Sequence, residues 1–193
     1  LPVIISQRAQ SSPTDTAITS IPTNERFTWR DIDQNIRLWA DAYRRRHVVP
    51  GECVVTMMPN TVDAYYAWLG LTWLQAVEVP INTDYQGEWL IHAINTAHAR
   101  LIVTSRRFLQ SLTLVADQLK YVGIVVIFDA QPGDERGALS AFFRIITPQE
   151  FFHDAEPAYD LTEPQVWDPM SVVFTSGTTG RAKAVMLPWG MGE

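Results

Sequence analysis

One cysteine, Cys53, stands in the whole chain of 193 residues, so no intrachain disulfide can form. It lies in an apolar, strand-like run, where a small thiol packs as core and does not act as a nucleophile. Long apolar runs are equally scarce. The longest uncharged one, residues 64–77, includes Thr72 and Gln75 and falls short of the roughly 18 residues needed to span a bilayer. The opening LPVIISQRAQ has no basic region followed by an apolar segment and a small-residue cleavage site, which leaves the cytoplasm as the expected location.

Positive charge is in deficit, with 15 Lys and Arg against 21 Asp and Glu and a formal charge of -6. Nucleic-acid binding requires a basic face, so nucleic acid is not an expected partner. The one basic run, Arg44, Arg45 and Arg46, falls where a helix should end and complements the helix dipole there. His47, His92, His98 and His153 form no compact ligand set and have no cysteine pair beside them, so no metal site is expected. We read these histidines as surface or helix-end residues. Neither a repeat nor a low-complexity tract is present.

What is present is an apolar share of 47%, enough to build a core, arranged as alternating strand and helix patterns. A hairpin is expected from residues 16–20 and 27–29. A surface helix over about 30–46 follows, with Thr28 and Asp31 as its capping pair and Ile32, Ile36, Trp39 and Tyr43 as its apolar stripe. Then come a strand at 53–57, a nearly all-apolar helix at 61–75, a strand at 77–81, a helix at 87–98 and a strand at 101–104. Phe108, Leu112, Val115 and Leu119 mark a further helix before a strand at 124–128. Such alternation predicts an α/β fold, a mostly parallel sheet flanked by helices. Residues 1–128 form the α/β subdomain in this reading. Residues 129–170, interrupted by Pro132, Pro148, Pro157, Pro164 and Pro169, form a connection with one short helix near 148–153. Residues 171–193 supply a last strand and a loop.

That loop, TSGTTGRAK, is the most informative stretch. Gly177 and Gly180 let the backbone turn sharply and approach an anion. Thr175, Ser176, Thr178 and Thr179 offer hydroxyl donors, backbone N–H groups can form an anion-binding concavity, and Lys183 adds a compact positive charge. The group suits a polyphosphate. Lys183 does not directly follow Gly180, so the loop with four residues between its glycines is excluded, and Thr179 breaks the dinucleotide fingerprint. Phe174 stands where a hydrolase elbow would need glycine. A tight surface turn is the structural alternative for such a Ser/Thr/Gly cluster. The order of apolar strand, loop ending in Lys183 and second apolar run, residues 184–187, favours the binding reading.

TSGTTGRAKA resembles the signature of the adenylate-forming superfamily of acyl-CoA synthetases, approximately [ST]-S-G-[ST]-T-G-x-P-K-G, with Ala182 in place of proline and Ala184 in place of glycine. Collinear segments extend the resemblance over nearly the whole chain. They are Phe27-Thr28-Trp29 with Ile32, Gly51-Glu52-Cys53-Val54 through Pro59-Asn60, Leu69-Gly70 through Ala76, Val79-Pro80-Ile81-Asn82 with Glu88, and Asp168. The stretch 80–88 is most similar to the crotonobetaine or carnitine-CoA ligase group.

The resemblance implies an acid-thiol ligase that uses ATP, Mg2+ and coenzyme A on a small-molecule carboxylate. Thr175, Ser176, Gly177, Thr178, Thr179, Gly180 and Lys183 would then grip the β- and γ-phosphates. It also implies that the adenine, ribose and adenylation-lysine segments lie outside residues 1–193. The stretch is therefore expected to be an amino-terminal portion, without catalytic residues of its own and inactive alone. A non-catalytic binding module of the same fold is the alternative.

Overall fold

The computed structural model describes residues 1–175 and 182–192, with the side chains of Met191 and Gly192 excepted. In chain order its elements are α1 (Pro2–Ser11), β1 (Thr16–Thr19), β2 (Arg26–Thr28), α2 (Trp29–Arg44), β3 (Cys53–Met57), α3 (Val62–Thr72), β4 (Val77–Pro80), α4 (Gly87–Ala97), β5 (Leu101–Thr104), α5 (Leu109–Thr113), β6 (Ile124–Ile127), β7 (Arg144–Ile146), α6 (Pro148–Phe151), β8 (Pro169–Thr175) and β9 (Lys183–Pro188). Among the described residues, β1 and β2 pair as an antiparallel hairpin. The remaining strands form one sheet in the order β7-β6-β5-β3-β4-β8-β9. Every pairing in it is parallel except the last, where β9 returns antiparallel along β8.

Two-residue alternation along the strands separates the core into two layers. Val55, Met57, Val79, Ile102 and Val125 face one side, where Leu90, Ala93 and Ile94 of α4 and Leu112 of α5 cover them. Val54, Leu101, Val103 and Val126 face the other side, against Ile36, Trp39 and Tyr43 of α2, Leu69 of α3 and Phe151 of α6. The sheet is therefore covered on both faces, as parallel strands require.

α2 begins at the expected capping box. Thr28 Oγ1 accepts from the Asp31 N–H and the Thr28 N–H donates to Asp31 Oδ2. The Thr28 hydroxyl, which donates to Asp31 Oδ2 at 2.7 Å, and then the Thr28 N–H hold the Asp31 carboxyl below its ordinary pKa. Gly70 lets α3 cross closely over α2, because a Cβ there would sit 2.8 Å from Trp39 Cβ.

Four expectations are corrected. The helix expected at the surface is buried on its polar side too: α1 and the segment near Ala158 cover Asp33 and Arg37. The burial is tolerated because the charges pair. Arg37 Nε lies 3.4 Å from Asp33 Oδ1, Arg37 Nη2 donates to Ser6 Oγ and Nη1 to the Ala158 carbonyl. α1 itself, signalled only by Pro2 in the first turn, was not expected from a segment with little apolar periodicity.

The helix marked by Phe108, Leu112, Val115 and Leu119 is broken into a 3-10 turn, the short α5 and a second 3-10 turn at residues 116–118, although all four side chains are buried. Thr113 Oγ1 donates back to the Leu109 carbonyl at that break. Finally, residues 129–170 are more than a connection. They contribute β7, only three residues long and thus too short for a pattern, whose Ile145 and Ile146 pair beside β6.

Candidate functional site

The expected phosphate loop joins β8 to β9. β8 runs parallel to β4, with Glu78 opposite Ser171, so it delivers Thr175 to the same sheet end as the carboxyl termini of β3, β4 and β5. Open α/β sheets bind ligands at that end. Thr175 and Lys183 are the last register pair of the hairpin, and Thr175 Oγ1 donates to the Lys183 carbonyl at 3.4 Å. Both residues are exposed. The structure thus brings together the two flanks of the loop. Ser176, Gly177, Thr178, Thr179 and Gly180 lie outside the described residues.

α4 packs beside the foot of this hairpin. Ala182 is 4% exposed, and its carbonyl oxygen lies 2.9 Å from His92 Nε2. The His92 ring also meets Phe174 of β8 edge-on, centroids 6.2 Å apart, and its Nδ1 faces Thr96 Oγ1 at 3.5 Å. A carbonyl only accepts, so Nε2 carries the hydrogen and Nδ1 accepts from the threonine hydroxyl. We read His92 from sequence as an ordinary surface residue. The contact joins residues 90 positions apart, and no local pattern signals it.

A buried ionisable group lies beside the hairpin, on the strand that pairs with β8. Glu78 of β4 is 9% exposed and accepts a 2.7 Å hydrogen bond from Thr56 Oγ1 of β3. Burial raises its pKa to about 7, against the opposing effect of the threonine hydroxyl. Its charge in turn helps push the buried Tyr43 phenol upward, after the larger effect of burial.

Other polar groups at the carboxyl end are occupied in structure. Asp129 accepts from Ser105 Oγ and the Arg106 N–H, each at 2.7 Å, and Asp134 pairs with Arg106 at 2.6 Å. Asp63 is raised by burial and, secondarily, by Asp129. Asp168, matched in sequence to the segment before the loop, lies at the opposite end of the sheet, just before β8, and closes a turn by accepting from the Gln165 N–H at 2.8 Å. Among the described residues no group of three His, Cys, Asp or Glu converges on a metal position, and no helix is long and apolar enough to cross a membrane.

Comparison with known proteins agrees with this geometry. The family model for the AMP-binding enzyme matches residues 5–190. The chain is 25% identical over 174 residues to 4-coumarate--CoA ligase 4 of Arabidopsis thaliana, covering 89% of this chain and 30% of that protein. It is 26% identical over 168 residues to the crotonobetaine/carnitine--CoA ligase of Escherichia coli O1:K1, covering 84% of this chain and 30% of that one. The chain therefore spans about 30% of the length of these curated relatives. The fold is shared with the anthranilate CoA ligase AuaEII, solved in complex with anthranoyl-AMP, at a TM-score of 0.85 and 18% identity, covering 97% of this chain and 34% of that one.

Proposed function

The chain belongs to the AMP-binding enzyme family, and from that premise we propose that the intact protein carrying it is an ATP-dependent acyl-CoA synthetase. The observation that carries the reading is the loop sequence TSGTTGRAK hung between β8 and β9 at the carboxyl end of a parallel sheet. In the first half-reaction a carboxylate oxygen attacks the α-phosphorus of ATP, the bond to the bridging oxygen breaks, and pyrophosphate leaves with the acyl-adenylate formed. In the second, the thiol of coenzyme A attacks the acyl carbon, loses its proton and displaces AMP.

The part of this chain is positional and electrostatic. Thr175, Ser176, Thr178 and Thr179 donate to the β- and γ-phosphates, Gly177 and Gly180 allow the backbone to approach, and Lys183 balances the charge gathering on pyrophosphate. Mg2+ enters with ATP as a counter-ion of the phosphates. The reaction is placed in the cytoplasm, where ATP and coenzyme A are supplied.

The test is AMP release by the intact protein with a carboxylate panel containing 4-coumarate, crotonobetaine, carnitine and anthranilate. Lys183→Ala should lower ATP–pyrophosphate exchange about 100- to 1,000-fold, the scale of losing one preorganised partner of developing charge. Unchanged exchange would remove the lysine from its assigned role. Ala182 and Ala184, at positions of proline and glycine in the resembled signature, favour a second reading, a binding module without turnover. ATP binding without AMP release from any acid would establish it.

A further inference from the structure

We propose that His92 is a positioning residue for Lys183, acting through the peptide that joins Ala182 to Lys183. The proposal rests on the reading of Lys183 as a phosphate ligand. The carbonyl that meets His92 Nε2 at 2.9 Å belongs to Ala182 and lies in the same rigid plane as the Lys183 nitrogen. A hydrogen bond to that oxygen sets the tilt of the plane and with it the direction in which the lysine leaves the backbone. On its other side Lys183 is held by its own carbonyl, which accepts from Thr175 Oγ1 at 3.4 Å, a long and weak bond. Beside the ladder that pairs β9 with β8, His92 therefore supplies the shorter of the two side-chain hydrogen bonds to the peptides that flank Lys183.

Three features make His92 suited to this task. It sits inside α4, residues Gly87–Ala97, whose Leu90, Ala93 and Ile94 are locked in the core, so the donor is mounted on a rigid element. Its ring is confined edge-on by Phe174, and Thr96 faces the second nitrogen, which together hold one tautomer and one orientation. Ala182 leaves the ψ rotation that tilts this peptide unrestrained by its own side chain, so the restraint on this peptide comes from a neighbouring element and not from the residue itself.

The experiment compares wild type, His92→Leu, His92→Gln and Lys183→Ala in the intact protein by ATP–pyrophosphate exchange, with thermal unfolding as a check on folding. His92 is only partly buried on a helix surface, and leucine and glutamine are both good helix formers. His92→Leu should raise the KM for ATP about three- to tenfold, the loss of one hydrogen bond, with the KM for the carboxylate unchanged. His92→Gln, whose amide can donate to the same oxygen, should stay within about twofold of wild type.

Hydrogen exchange at the amides of residues 183–185 should quicken in His92→Leu and not in His92→Gln, whether or not activity is measured. If Lys183→Ala impairs exchange while His92→Leu leaves both the KM for ATP and these amides unchanged, the positioning role is overturned and the phosphate grip stands. If Lys183→Ala has no effect, the phosphate grip falls, and the proposal falls with it.

Discussion

The block β7-β6-β5-β3-β4 and the hairpin β8–β9 share one sheet but meet solvent differently. In the block, Val54, Val55, Leu101, Ile102, Val125 and Val126 are fully buried, covered from both faces. In β9, Val185 is 40% and Met186 58% exposed. Nearby, an apolar depression of about 490 Å³ is lined by Val3, Ile4, Trp68, Val166, Met170 and Trp189. Trp68 of α3 and Trp189 after β9 stack there at 5.6 Å. Buried apolar surface is thus concentrated in the block, and Thr175 and Lys183, the described residues proposed to bind phosphate, sit on the less covered hairpin. That division lets the loop residues be selected for chemistry without weakening the core.

The contrast can be broken most forcefully in the block. Leu101→Ala should cost about 2–5 kcal/mol, read as a drop in the chemical-denaturation midpoint with little change in slope. A loss under about 1 kcal/mol would show that the block is not the stability centre.

Glu78, at the border with the hairpin, sharpens the comparison through pH. Its pKa is raised from 4.5 to about 7 in the folded chain. The unfolded state therefore releases this proton first, and the contribution of Glu78 to stability falls as pH rises from about 4.5 to about 7, then levels. Its full cost is roughly 3 kcal/mol above that window. Glu78→Gln should stabilise the protein at pH 8 and leave it unchanged near pH 4; equal stabilisation at both would contradict the assignment.

The smallest effect is expected in the hairpin. Met186→Ser should change stability by less than about 0.5 kcal/mol, and a thermal-melt shift of many degrees would mean that β9 is more integral than its exposure indicates.

The strands of the block other than β7 were legible because their apolar residues come in short β-branched runs separated by helical stretches. β3 and β5 have the bounds that the pattern implies. The α2 cap was legible because Thr28 and Asp31 are three residues apart and act locally. The loop stood out as a candidate site because its hydroxyls, glycines and lysine are contiguous, and Ser176, Gly177, Thr178, Thr179 and Gly180 lie outside the described residues. β7 and α1 were not legible, because one is too short for periodicity and the other owes its place to packing against α2.

By itself, then, the sequence determined the α/β alternation and the family, both of which depend on order along the chain. Only the tertiary structure decided that Asp33 and Arg37 are buried, that burial raises the pKa of Glu78 and that His92 meets the peptide before Lys183. Each of these depends on residues far apart in the chain, brought together by the crossing of α1 over α2, the pairing of β4 with β8 and the packing of α4 beside the hairpin. A carboxylate or an imidazole takes its character from the partners and dielectric around it, and the fold alone supplies these.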